Sequence, residues 1–248
     1  MTGVLPIALE NATKAMPVLM GLDKEYVGVM HLHKEVTEEL LRKTIEKFIG
    51  KIIQTPPVRS AVARRPRERE IKFFDILEIE GKDVLFKVGC EAGTYIRKLC
   101  DQIGREIGGA QMIELRRTKV GNFTEEQSHS LLAVKDAYEF CKEGNEKPLR
   151  KILIPVEHAI IHTKKIFIKD SAVGSVCEGS PVFVNGITRI EEGIEAGEMI
   201  AVYTQKEELA ALGIAKMDSE RMHKGKRGVA VRTDRVFMER GVYPKIQV

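Results

Sequence analysis

The chain has 248 residues, 43% of them apolar and 31% charged, with a formal net charge of +4. That balance excludes a disordered chain and is enough for one or two domains with their own cores. No apolar run approaches the ~20 residues of a membrane span, and the start lacks a basic-then-apolar leader, so a cytoplasmic protein is expected. The four cysteines, Cys90, Cys100, Cys141 and Cys177, form no CxxC pair and have no histidine at metal-ligand spacing, which predicts reduced, inert thiols and no metal.

Residues 1–22 are apolar with Gly and Pro and read as a loop leading into a buried segment. Residues 24–33, KEYVGVMHLH, alternate apolar and polar, which predicts a strand. Residues 37–50 predict a helix capped by Thr37, with Leu40, Leu41, Ile45, Phe48 and Ile49 at helical spacing and Gly50 as its stop. Residues 54–70 hold three prolines and five arginines (Arg59, Arg64, Arg65, Arg67 and Arg69) and read as a mobile basic loop. Residues 71–80 and 83–89 predict a hairpin around Glu80–Gly81–Lys82. In 93–108, Thr94 is placed to cap a helix that buries Ile96, Leu99, Cys100, Ile103 and Ile107. Residues 110–123 predict a strand, and 124–163 a mixed helical stretch broken by Pro148 and Pro155. From Lys164 short β-rich runs recur at 165–168, 181–184, 198–204, 212–217, 228–231 and 235–238, the cadence of a small β-barrel. The expected division is 1–163 and 164–248.

Three places suggest chemistry. Tyr95 and Arg97 fall on the first turn of a helix, where exposed amides and the dipole favour an anion and Arg97 offers a planar fork. The bland alternative is a packed tyrosine and an Arg97–Asp101 pair four residues apart. The arginines of 59–69, with Arg116, Arg117 and Lys119 as a second cluster, would make a strong field for phosphates, although a solvated arginine loop is common. A third basic stretch, His223 to Gly228, interleaves glycines with Lys224, Lys226 and Arg227 and lets backbone approach a ligand closely.

Several stretches together resemble one family. EAGTYIRKLCDQIG followed by AQMIELRR is similar to the A/S-G-T-Y-I-R…L-G…L-R-R signature of TruB/dyskerin pseudouridine synthases. KEYVGVMHLH resembles the strand bearing that family's base-stacking tyrosine, and PPVRSAVARRPR the RNA-clamping thumb loop in its archaeal and eukaryotic dyskerin form. IKDSAVGSVCEGSPVFVNGI and KGKRGVAVRTDRVFMERGVYP resemble a PUA domain. The resemblance is strongest to the archaeal dyskerin-like catalytic subunit of box H/ACA particles. It implies an α+β fold: a catalytic domain on a mixed, largely antiparallel sheet, followed by a small β-barrel PUA domain.

The activity implied is isomerisation of uridine to pseudouridine in RNA, without a cofactor. The partners implied are rRNA with a guide RNA, or tRNA, and the small protein subunits of a box H/ACA particle. By motif, Tyr26 matches the tyrosine that stacks on the flipped base and Leu115 the leucine lining the pocket. Tyr95 matches the tyrosine proposed to take the C5 proton, and Arg97 the arginine that pairs with a nucleophilic aspartate. RNA contacts are expected from Arg59, Arg64, Arg65, Arg67, Arg116 and Arg117. In the PUA region they are expected from Gly179, Lys226, Arg227 and Arg232. The family's aspartate lies in G-T-L-D-P-x-V-T-G-V-L. Thr2 to Leu5 match that motif's tail, so the aspartate is expected three residues before Met1. An N-terminally truncated chain, inactive by itself, is therefore expected. The competing reading is a non-catalytic RNA-binding scaffold that keeps the thumb loop and the PUA domain.

Overall fold

The computed structural model describes residues 2–58 and 62–243. The chain divides into two compact units, Met1–Ile7 with Pro17–Ile154, and Ala8–Met16 with Pro155–Val248.

In the first unit the elements are β1 (Thr2–Gly3), α1 (Met16–Gly21), β2 (Lys24–Leu32), α2 (Glu38–Glu46), β3 (Gly50–Gln54), β4 (Arg67–Glu80), β5 (Asp83–Cys90), α3 (Ile96–Ile107), β6 (Ala110–Val120), β7 (Phe123–Thr124), α4 (Leu131–Lys142) and α5 (Lys147–Ile152). Seven strands form one sheet in the order β1-β6-β2-β5-β4-β3, with β7 on β6. β1 runs parallel to β6 and the other pairs are antiparallel. β2, β5 and β6 lie inside the sheet, and every second residue of β2 from Gly28 to Leu32 is buried. That face meets α2 and α3. Phe86, Met30, Leu99 and Ile103 are fully buried there, each contributing about 1.5–3 kcal/mol by leaving water.

The register brings Gly28 beside Phe86 on one side and Leu115 on the other. A β-carbon on Gly28 would stand 2.8 Å from the Phe86 ring and 3.0 Å from a Leu115 methyl, so glycine here lets two large side chains close over the strand. At Gly104, midway along α3, a β-carbon would stand 2.2 Å from the Ala110 amide nitrogen. The helix therefore lies directly on the backbone where β6 begins.

Four local features differ from the sequence expectation. The second helix ends at Glu46 instead of reaching Gly50. Lys47, Phe48 and Ile49 turn tightly through i→i−3 hydrogen bonds, and Gly50, at φ +93°, opens a strand; Leu40 and Ile49 are left exposed. The basic loop is shorter than 54–70, because Arg67 and Arg69 belong to β4 and pair with Gln54 and Ile52. Their alternation with Glu68 and Glu70 sets arginines and carboxylates on opposite faces. The 93–108 helix starts at Ile96 with Tyr95, not Thr94, in the capping position, since the Thr94 hydroxyl turns back to the Glu91 carbonyl at 2.8 Å. Among the described residues of 2–22, Val4, Ala15 and Leu19 are the buried apolar ones, while Leu5, Ile7, Leu9 and Met20 are exposed.

In the second unit lie α6 (Val156–Ala159), β8 (Lys165–Ile168), α7 (Asp170–Cys177), β9 (Val182–Phe183), β10 (Ile187–Ile190), β11 (Met199–Thr204), β12 (Leu209–Ala215), α8 (Ser219–Lys224) and β13 (Val229–Val236). Six strands form a sheet in the order β10-β8-β11-β12-β13-β9, around a core that includes Ile166, Ile168, Ile200 and Val231. The runs expected at 228–231 and 235–238 are one strand. β12 begins at Leu209 and is buried along nearly its whole length, so it shows no period-two pattern. Neither β10 nor the helices α7 and α8 were expected. The Asp218 side chain caps α8 by accepting from the Arg221 amide at 2.8 Å.

Candidate active site

The residues singled out in the first unit converge on one end of its sheet. Antiparallel pairing puts the start of β2, the ends of β3, β5 and β6 and the start of β4 at that end. Tyr26 stands opposite Val88 on β5 and Arg117 on β6, and Leu115 stands one pair along, beside Gly28. Paired residues share a face, so Tyr26, Leu115 and Arg117 all point to the side covered by α3.

Burial pushes the Tyr26 hydroxyl above its ordinary pKa, and the neighbouring Arg117 guanidinium opposes this. Arg117 also donates from Nε to the Val4 carbonyl at 2.7 Å, and its own carbonyl accepts from the Val4 amide at 2.8 Å. Arg117 thus ties β1 to β6, and Gly3, at φ +96° with no room for a β-carbon beside Arg117, permits the approach. Arg116, on the other face, is paired with Glu125. Lys24 is held by the carbonyls of Leu22 at 2.5 Å and Met20 at 2.7 Å; burial, then Arg117, lowers its pKa.

Cys90 ends β5 beside this group. Its thiol hydrogen-bonds with Thr94, and burial raises its pKa to about 11. Thr94 leads to Tyr95, whose backbone is held at both ends by one side chain. The Tyr95 amide donates to Gln54 Oε1 at 2.9 Å, and Gln54 Nε2 donates to the Tyr95 carbonyl at 3.3 Å and to Gln102 Oε1 at 3.2 Å. Gln54 is 3% exposed. Tyr95 and Gln54, with Arg67, Arg69 and Gly93, line a cavity of about 80 Å³. Arg67 and Arg69 are half-buried there, and Arg69 lies 3.8 Å from Glu91.

On the far side of Gln54 is a larger cavity of about 590 Å³, whose lining includes Pro56, Pro57, Arg64, Arg97, Lys98 and Arg105. Arg97 is exposed in the first turn of α3. Asp101, in the same wall, pairs with Arg105 at 3.0 Å and Lys98 at 3.7 Å. Arg97 makes no ion pair among the described residues, so the expected Arg97–Asp101 alternative is not formed. Four cations against one carboxylate favour an anionic occupant.

Of the sequence-derived candidates, Tyr26, Leu115 and Arg117 share one face of the sheet, Tyr95 and Arg67 line the smaller cavity, and Arg64 and Arg97 line the larger one. Arg65 is exposed but lines neither cavity, and Arg59 lies outside the described residues. Sequence reasoning missed Gln54; its signal was a polar residue ending an apolar strand just before two prolines. In the second unit, Gly179 (φ +92°), Lys226, Arg227 and Arg232 are all exposed. Gly179 lines a cavity of about 300 Å³ with Lys14 and Arg240. Lys226 and Arg227 precede Gly228, whose carbonyl accepts from Val184 at 3.0 Å. Among the described residues, no three His, Cys, Asp or Glu side chains gather as a metal site, and no helix is long and apolar enough to cross a membrane.

Comparison with known proteins matches this layout throughout. Residues 1–96 match the TruB family pseudouridylate synthase N-terminal domain, 97–161 the tRNA pseudouridylate synthase B C-terminal domain, and 164–237 the PUA domain. The chain is 52% identical to the probable tRNA pseudouridine synthase B of Methanopyrus kandleri, across 98% of this chain and 73% of that one. It belongs to the TruB family of pseudouridine synthases. The corresponding protein of Nanoarchaeum equitans is 51% identical, over 100% of this chain and 72% of its own length. Among solved structures, the chain is similar to one in a Cbf5-Nop10-Gar1 complex (48% identity, TM-score 0.93, covering 98% of this chain and 75% of that one). It is also similar to one in an H/ACA RNP bound to a substrate RNA containing 2′-deoxyuridine (46%, 0.90, 98% and 74%). The sheet end that gathers Tyr26, Leu115, Tyr95 and Arg97 is thus found in a pseudouridine synthase fold with a PUA domain after it.

Proposed function

We propose that this TruB-family chain grips an RNA with its target uridine flipped out and supplies the base-handling side of the isomerisation. The observation that carries this is the convergence of Tyr26, Leu115, Tyr95 and Arg97 on one end of the sheet, beside a cavity lined by cations. Tyr26 stacks on the base and Leu115 closes the pocket. Arg97 holds a nucleophilic carboxylate ionised where the pocket would otherwise neutralise it. That carboxylate bonds to the sugar carbon as the glycosidic carbon–nitrogen bond breaks, the base turns, and C5 bonds to the same carbon as the carboxylate leaves it. Tyr95 then takes the C5 proton, and the freed ring nitrogen gains one.

The carboxylate belongs to the Gly-Thr-Leu-Asp-Pro signature that the resemblance sets ahead of Met1. Carboxylates nearby are already engaged: Asp101 with Arg105, Asp23 with Lys72, Glu25 with Lys87 at 3.2 Å and Glu91 with Arg69 at 3.8 Å. We therefore propose that the 248 residues by themselves bind RNA without turning it over, and that the same residues joined to that segment are active. The parallel register Thr2↔Arg116 would lead such a segment along β6 past Leu115. Tritium release from RNA carrying [5-³H]uridine tests this. Release by the joined polypeptide is expected, and no release from it would overturn the assignment.

The likeness to Cbf5 chains solved with Nop10, Gar1 and substrate RNA supports action within a box H/ACA particle on rRNA, with small protein subunits as partners. The names of the curated relatives support tRNA as a further substrate. Crosslinking to cellular RNA separates the two. The PUA unit is proposed to anchor the RNA through Gly179, Lys226, Arg227 and Arg232. Changing Lys226 and Arg227 together to Ala is expected to lower the slope of log affinity against log salt by about 2, one per phosphate contact. An unchanged slope would remove them from the interface.

A further inference from the structure

We infer that Gln54 is a positioning residue for Tyr95, and this rests on the reading of Tyr95 as the group that takes the C5 proton. Tyr95 is an awkward place for a catalytic side chain. It is the capping residue of α3, at φ −101° and ψ 100°, yet it has no side-chain cap hydrogen bond of its own. Such a residue is ordinarily fixed by its own side chain bonding to the amides of the first turn, which would take a catalytic side chain out of the pocket. Here Gln54 fixes the capping residue through that residue's backbone instead. Its carboxamide receives the Tyr95 amide and donates to the Tyr95 carbonyl, matching the backbone as a neighbouring strand would.

The clamp is itself anchored. Gln54 ends β3, whose partner there is Arg67. Its Nε2 also reaches Gln102 Oε1, and Gln102 Nε2 donates to the Ile53 carbonyl at 3.0 Å. Strand end, capping residue and the second turn of α3 are therefore tied into one loop of hydrogen bonds. Gln54 is one of three buried polar or charged side chains among the described residues, with Thr44 and Thr204, and it lines both cavities. Two of the buried amide's three bonds go to the Tyr95 backbone, which fixes the direction in which the Tyr95 side chain leaves it. An error of about 1 Å at a reacting group is enough to cost on the order of 100-fold in rate.

The test is a double-mutant cycle in the polypeptide that carries the Asp-bearing segment, read as single-turnover tritium release and, separately, RNA affinity. Gln54→Met, close in size but without the amide, is expected to slow turnover on the order of 10- to 100-fold and leave the Kd within about twofold. In a Tyr95→Phe background the same change is expected to slow turnover less than about threefold, because there is no longer a phenol to aim. If Tyr95→Phe is as fast as the parent, the reading of Tyr95 fails. If Tyr95→Phe is slow and Gln54→Met is fully active, weakens RNA binding as much as it slows turnover, or slows both backgrounds equally, the inference about Gln54 fails. Should Gln54→Met not fold, Gln54→Glu, which keeps the acceptor for the Tyr95 amide, is read by the same criteria.

Discussion

Tyr95→Phe, placed in the polypeptide that includes the nucleophile segment, should lower single-turnover pseudouridine formation by about 10²–10⁴-fold, the usual contribution of a positioned proton-transfer group. RNA affinity should stay within about twofold. The split follows from the geometry. The Tyr95 backbone is held by Gln54 and the residue lines a cavity of about 80 Å³; the backbone bonds do not require the hydroxyl. The substitution removes one oxygen and leaves the ring to fill the same space, so the RNA contacts proposed for Arg64 and Arg67 are expected to persist. A rate equal to the parent's would mean that another group takes the C5 proton. A large loss of affinity with the rate retained would make Tyr95 a binding residue instead.

Gly104→Ala should destabilise the first unit by about 2–3 kcal/mol, in the range of overpacked cores, and lower its unfolding temperature by roughly 5–10 °C. The added methyl would stand 2.2 Å from the Ala110 nitrogen and 2.8 Å from its Cα. Both are backbone atoms of β6, which cannot swing aside like a side-chain tip. The helix must lift, and it carries Arg97 in its first turn and follows directly on Tyr95. Turnover should therefore fall along with stability. Gly21→Ala is the control: Gly21 is helical, and a β-carbon there meets nothing within 4 Å, so little change or slight stabilisation is expected. Equal unfolding midpoints for the two variants would contradict the close approach of α3 to β6.

Much of the architecture was legible because the decisive signals were local. The alternation in KEYVGVMHLH set β2, and the face Ile96, Leu99, Cys100, Ile103 and Ile107 is buried as its spacing implied. The motifs around Tyr95 and Leu115 pointed to the family. What stayed hidden depends on neighbours distant in sequence. Thr94 looked like a cap, but its hydroxyl turns back to Glu91, and the capping residue Tyr95 is held by its backbone from Gln54, 41 residues away. Arg117 looked like a phosphate contact in a basic cluster, yet its side chain is engaged with the Val4 carbonyl and lies beside Tyr26. Arg67 and Arg69 read as loop because charged alternation carries little hydrophobic signal, although one face of that strand turns toward the core. β12 was expected over 212–217 and begins earlier, at Leu209, because its Ala-containing start is buried on both faces and shows neither strand propensity nor a period of two.

The most direct test compares tritium release from RNA containing [5-³H]uridine by two polypeptides: the 248 residues alone, and the same residues preceded by the Gly-Thr-Leu-Asp-Pro segment. The expected result is that both bind the RNA with affinities of the same order and only the second releases tritium. Equal release by both would contradict the account, because the sheet end of Tyr26, Leu115, Tyr95 and Arg97 would then be working without the carboxylate it is proposed to serve.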